Sequence, residues 1–131
     1  VFKDDKILLV KELADGLWSV PGGWADVNET PSQCAEKELF EESGFEGRAI
    51  KLLYLSDRNC HTQDYLWPHV YKAFFLCEIT GGEAKSGIET LDVGFFGLNE
   101  LPPLSIERIT YSQIYKLFHH LQNPNEVTFF D

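Results

Sequence analysis

One short segment narrows the possibilities for this chain more than any other. From Thr30 to Gly44 the residues read as a self-contained helix. Thr30 is a good N-cap, Pro31 suits the first helical position, and Gln33 stands where a capping box needs it. Gly44 supplies a C-terminal stop. These signals predict a helix over Pro31–Ser43, set behind the strong breaker Pro21-Gly22-Gly23. At about 100° per residue, Glu38, Glu41 and Glu42 share roughly a third of its circumference. Three carboxylates on one face repel each other, so the face calls for a positive partner. Mg²⁺ and Mn²⁺ prefer oxygen ligands of this kind. Cys34 and Ala35, one turn earlier on the same side, are small and leave room above the carboxylates. Gly22 and Gly23 let the backbone approach a ligand closely. Acidic pairs on helices usually form only a solvated face, and Glu36 and Glu46 read that way. What sets the segment apart is the agreement of so many positions at once.

The chain has 131 residues, 44% of them apolar, enough for one domain with one core. No apolar run approaches the roughly 18 residues of a membrane span, and no signal-peptide pattern opens the chain. The formal charge is -10, from 21 acidic and 11 basic residues. A surface that negative repels nucleic-acid backbones, so no nucleic-acid partner is expected. A small phosphate-bearing ligand remains compatible where cations bridge the repulsion. Cys34, Cys60 and Cys77 are odd in number and lack metal-ligand spacing, which suits free thiols in a reducing cytoplasm. The chain contains no Met and begins directly in a strand pattern. Residues 1–131 are therefore read as one N-terminally incomplete domain, with a segment or further domain expected ahead of Val1.

Val1–Phe2 and Ile7–Val10 predict two strands joined at Asp4-Asp5. Leu17–Val20, Ala49–Leu55 and Val93–Gly97 predict further strands, and the aromatic-rich Val70–Ile79 a long central one. Ser56–Pro68 and Thr80–Thr90 read as loops. Thr110 and Gln113 form a second capping box. Behind it Ile114, Leu117, Phe118 and Leu121 repeat at helical spacing, and Asn123-Pro124 closes the helix. The order predicts an α+β fold, a mixed sheet with helices packed against it.

Gly23, Glu29, Glu38, Leu39, Glu41, Glu42, Gly44 and Phe45 stand at the spacing of the Nudix box, and the segment resembles it. Trp18-Ser19-Val20-Pro21-Gly22-Gly23 is similar to that family's lead-in. Lys37 departs, since the family has Arg there; Lys keeps the charge but loses the planar fork. Further motifs, from His69-Val70-Tyr71-Lys72 to Leu101-Pro102-Pro103-Leu104-Ser105, are similar to bacterial Nudix enzymes of the ADP-ribose and CDP-choline pyrophosphatase type.

The resemblance implies an α/β/α sandwich and a metal-dependent hydrolase. Glu38, Glu41 and Glu42 would hold Mg²⁺ or Mn²⁺, with the Gly23 carbonyl as a further ligand. Water would attack a diphosphate linkage, and a nucleoside monophosphate would leave. The base would be Glu38 or Glu41, or a downstream glutamate, Glu89 ahead of Glu83. The substrate would be a small nucleotide such as ADP-ribose, CDP-choline or a UDP-linked compound. Trp24 and Trp67 are candidates for stacking on its base. Arg58 and His61 are candidates for its phosphate or sugar. Two alternatives stand beside this reading: removal of damaged nucleoside triphosphates, and a non-catalytic domain that binds a nucleotide to regulate something else. The resemblance also allows a homodimer.

Overall fold

A computed structural model describes all 131 residues. Helix α1 spans Pro31–Ser43 and α2 spans Tyr111–Gln122. Both begin with reciprocal capping boxes. Gln33 N donates to Thr30 Oγ1 at 3.2 Å while Thr30 N donates to Gln33 Oε1 at 3.0 Å. Thr110 and Gln113 repeat the pattern. Gly44 ends α1 at φ 79°, a left-handed conformation that glycine adopts without penalty.

Strand β1 (Phe2–Lys3) and β2 (Lys6–Glu12) form the expected hairpin. Asp4 and Asp5 turn it with φ 52° and 60°, a left-handed pair that Asp tolerates. The other strands are β3 (Trp18–Ser19), β4 (Phe45–Asp57), β5 (Tyr71–Gly82), β6 (Thr90–Phe96) and β7 (Phe129–Phe130). They form two sheets. In the first, β2 is central and antiparallel to β1, β3 and β6. In the second the order is β5-β4-β7, with β7 parallel to β4, so this sheet is mixed.

The α+β architecture follows the expectation, with three corrections. The long aromatic strand β5 lies at a sheet edge rather than at the centre, and β4 takes the central place. The apolar residues of β5 divide between two covered faces, with Phe74 and Leu76 packing on the α2 side and Phe75 and Cys77 on the α1 side. Second, the strands run further than their apolar stretches: Ser56–Asp57 belong to β4, Thr80–Gly82 to β5 and Thr90 to β6. Ladder hydrogen bonds extend pairing through polar residues. Third, β7 is unforeseen, because two residues carry no periodicity.

Ile7, Leu8, Leu9 and Val10 are all buried. An unbroken apolar run on a strand means that both of its faces are covered. Ile7 and Leu9 pack with Leu53, Ile109, Ile114, Leu117 and Phe118 on the α2 side. Leu8 packs with Leu39, Cys77, Ala35 and Phe45 on the α1 side. Strand β2 is thus the middle layer, and α1 is held against it with a fixed outer face. No helix is long and apolar enough to cross a membrane.

Candidate active site

Helix α1 splits the three carboxylates of its acidic face. Glu38 and Glu42 are buried, while Glu41 is exposed. The Pro21-Gly22-Gly23 turn lies directly over the buried pair. Gly22 N donates to Glu42 Oε2 at 2.9 Å. At Gly23 an added Cβ would stand 2.7 Å from the Glu38 carboxylate. The Gly23 carbonyl accepts only a long contact from Cys34 Sγ, 3.6 Å. Backbone and carboxylate therefore crowd together at the one point where glycine permits it.

Lys37 anchors the loop that leads into α1. Its Nζ lies 2.9 Å from both Asp26 Oδ2 and Glu29 Oε2, and 3.8 Å from Glu38 Oε1. Asp26 N also donates to Glu29 Oε2 at 2.9 Å. These hydrogen bonds hold the ammonium charged and depress the Glu29 carboxyl. A Lys makes three separate point contacts here where an Arg fork would make a paired one. Lys37→Gln should loosen the Gly22–Glu29 turn and lower kcat about tenfold, with little change in thermal midpoint and recovery in Lys37→Arg. Steady-state kinetics and melting curves of both variants check this.

The loop before β6 closes the other side. Thr90 Oγ1 donates to the Glu42 carbonyl at 2.8 Å and accepts from Gly87 N at 2.8 Å. Leu13 N donates to the Glu89 carbonyl at 3.0 Å. Glu89 is exposed, yet its charge is felt by Glu38, Glu42 and Glu12. Glu83 lies in a shallow groove with Phe40, Glu41, Gly44 and Lys85 at the C-terminal end of α1. Of the two loop glutamates, only Glu89 neighbours the buried carboxylates.

Glu12 joins them from β2. It is 6% exposed and pairs in register with Thr90. Nothing in the local pattern singles it out, because Lys11-Glu12 reads as the polar end of a strand. The burial of Glu12 depends on β6 and α1, which are distant in sequence. Arg108, at 3.9 Å from Glu12 Oε1, was equally invisible.

Burial raises all three carboxyls: Glu12, Glu38 and Glu42, the last to about 8. Repulsion from neighbouring carboxylates adds to burial, from Asp15, Glu89 and Glu38 at Glu12, from Glu41 and Glu89 at Glu38, and from Glu12, Glu38 and Glu89 at Glu42, while Arg108 opposes it at Glu12 and Lys37 at Glu38. At Glu42 the Gly22 N–H bond works the other way, favouring the charged form. No three His, Cys, Asp or Glu side chains are gathered closely enough to hold a metal ion as they stand. A divalent cation fits this donor set: hard oxygens, buried, repelling, and with only two cationic side chains alongside.

Of the candidate recognition residues, Trp24 follows Gly23 directly, while Arg58, His61 and Trp67 lie in the segment between β4 and β5. Trp24 and Trp67 are 68% and 93% exposed, so neither belongs to the core. Arg58 donates to the Pro68 carbonyl. His61 is occupied by Tyr54 and Asp131. None of Arg58, His61 or Trp67 touches the carboxylates.

The NUDIX domain family model matches residues 1–118. The chain belongs to the Nudix family. YjhB of Bacillus subtilis, which carries a provisional ADP-ribose pyrophosphatase name, is 41% identical over 131 residues. That match covers all of this chain and 63% of YjhB. The crystal structure of an ADP-ribose pyrophosphatase from Streptococcus suis superposes with TM-score 0.89 at 38% identity, over 99% of this chain and 92% of that one. A UDP-X diphosphatase structure gives TM-score 0.87 at 30% identity, over 98% and 62%. This Nudix chain thus spans under two thirds of the length of YjhB and of the UDP-X diphosphatase. Nudix hydrolases generally use divalent metals, in keeping with the donor set described above.

Proposed function

We propose that this chain hydrolyses the diphosphate linkage of a nucleoside diphosphate joined to a second group, with ADP-ribose as the first substrate to try. One observation carries the reading: Glu38 and Glu42 are buried side by side beneath the Gly22-Gly23 turn, repelling one another, with Lys37 and Arg108 as the only cationic side chains alongside. Glu38, Glu41, Glu42 and the Gly23 carbonyl are the residues that would hold Mg²⁺ or Mn²⁺. When bound, the metal supplies charge neutralisation for the diphosphate and acidifies water. The chain's own part is to fix the carboxylates. Gly22 N orients Glu42, the absence of a Cβ at Gly23 makes room for Glu38, and Lys37 ties down the loop between them. Such positioning lowers the barrier by holding charge where it develops. The product would be a nucleoside monophosphate. Exposed Trp24 and Trp67 are available to stack on the nucleobase. The free thiols of Cys34, Cys60 and Cys77 suit a cytoplasmic setting.

The exposed Glu89, beside the buried set, is the proton acceptor in this reading. Glu89→Gln should then lower kcat by about 10²- to 10⁴-fold while leaving Mn²⁺ affinity intact. An unchanged kcat would move the base to Glu38 or Glu41.

A hydrolysis panel on the full-length protein tests the whole proposal. Nucleoside diphosphate conjugates and nucleoside triphosphates are supplied with and without Mg²⁺, and products are read by mass. Release of a nucleoside monophosphate from a conjugate supports the proposal. Pyrophosphate release from triphosphates alone replaces it, and binding without turnover across the panel sinks it.

A further inference from the structure

Glu12 is a buried acid with no hydrogen bond to its carboxylate. It is 6% exposed, and its nearest cation, Arg108 Nε, stands 3.9 Å away, beyond hydrogen-bond range. Its oxygens still reach solvent, yet a carboxylate so nearly enclosed, with only the long ion pair to Arg108, keeps lone pairs open to a stronger ligand. The backbone points it at the acidic face of α1. Glu12 pairs in register with Thr90, whose hydroxyl bonds the Glu42 carbonyl at 2.8 Å. The next residue, Leu13, bonds the Glu89 carbonyl. Strand β2 is the middle layer of the fold, so this position is rigid.

Arg108 is committed elsewhere. Its Nη1 donates to Asp15 Oδ2 at 3.1 Å and to Ser105 Oγ at 2.9 Å. Ser105 Oγ in turn donates to Asp15 Oδ2 at 2.6 Å. The guanidinium is therefore held at the rim of the acidic face by two other groups. It can steady Glu12 without neutralising it fully.

We propose that Glu12 is a further ligand for a divalent cation, reaching the face of α1 from β2. The inference rests on the metal-dependent reading above and extends the set of donors beyond α1 and its preceding loop. Opposed carboxylates from a strand and a helix enclose a cation from two sides, which one helix face cannot do. Arg108 is then a positioning residue, which aims Glu12 through charge.

Mn²⁺ binding tests this without reference to turnover. In the full-length protein, Glu12→Gln should weaken Mn²⁺ binding at least tenfold or remove one bound ion, by calorimetry or by electron paramagnetic resonance. It should also shrink the rise in thermal midpoint that Mn²⁺ produces. The exposed Glu100→Gln serves as a control and should change neither. Should Glu12→Gln fold poorly, the wild type gives the answer instead. With ¹³C-labelled glutamate, sub-stoichiometric Mn²⁺ should broaden the Glu12 carboxyl resonance as strongly as that of Glu42. Wild-type Mn²⁺ binding in Glu12→Gln, or a sharp Glu12 resonance beside a broadened Glu42, overturns the inference. A wild type that binds no Mn²⁺ overturns both this and the proposed function. Mn²⁺ binding that needs Glu12, without hydrolysis of any substrate, leaves the ligand role standing and removes only the activity.

Discussion

Glu42→Gln is expected to abolish metal-dependent hydrolysis, by a factor of at least about 10³, while making the metal-stripped protein more stable above neutral pH. The two effects have one cause. Glu42 is buried, and burial together with Glu12, Glu38 and Glu89 raises its carboxyl from the usual 4.5 to about 8. The native state therefore holds this proton more tightly than the unfolded chain does. Its contribution to stability is complete below about 4.5 and is lost as pH rises to about 8. Every tenfold gain in proton affinity corresponds to about 1.4 kcal/mol, so the loss is on the order of a few kcal/mol. Glutamine carries no charge and keeps an oxygen for the Gly22 N–H. In EDTA at pH 8 the variant should melt above the wild type, and near pH 4.5 the two should converge. With Mg²⁺ present the order should narrow or reverse, since only the wild type gains from the cation. Melting curves across pH, with and without EDTA, alongside turnover, check both halves. A variant that retains turnover rules Glu42 out of the chemistry.

The second large effect separates two adjacent glycines. Gly23→Ala should cost about 10²-fold or more in kcat or in Mn²⁺ affinity, whereas Gly22→Ala should be mild. A Cβ on Gly23 would lie 2.7 Å from Glu38 Cδ and Oε1. That separation is below any ordinary contact. The carboxylate is the end of a flexible side chain, so it moves aside and the fold persists. The site then loses the placement of Glu38. A Cβ on Gly22 meets nothing within 4 Å, and the Gly22 N–H bond to Glu42 survives the substitution. Kinetics and Mn²⁺ titration of both variants decide the matter. Equal behaviour of the two would show that Glu38 placement does not limit the reaction.

Much of the site was legible because its signals are local. The α1 boundaries follow from a capping box and a left-handed glycine, both made within four residues of the helix ends. The spacing of Glu38, Glu41 and Glu42 follows from helical geometry once those boundaries hold. The Asp4-Asp5 turn follows from backbone preference. The resemblance to the Nudix box rested on the same contiguous stretch, and the family match agrees with it.

Other features depend on elements that meet only in the folded state. Helix geometry places Glu38, Glu41 and Glu42 on one face, but β2 and the Gly22-Gly23 turn bury two of them and leave Glu41 exposed. The Lys37 tie to Asp26 and Glu29 forms because the loop folds back over the helix. The edge position of β5 reflects which strand β7 joins, and no periodicity encodes that choice. Glu12 is the clearest case, polar in a polar dipeptide and unremarkable in sequence.

The chain's sequence by itself thus determined the acidic helix, its two ends and the spacing of its carboxylates. These are set by hydrogen bonds and sterics among near neighbours. The tertiary structure alone decided which of those acids are buried, which glycine makes room for them, and that an acid from β2 lies near enough for its charge to be felt. Burial and charge repulsion arise between segments up to some 80 residues apart, as between Glu12 and its neighbours Glu89 and Thr90, and no local pattern carries them.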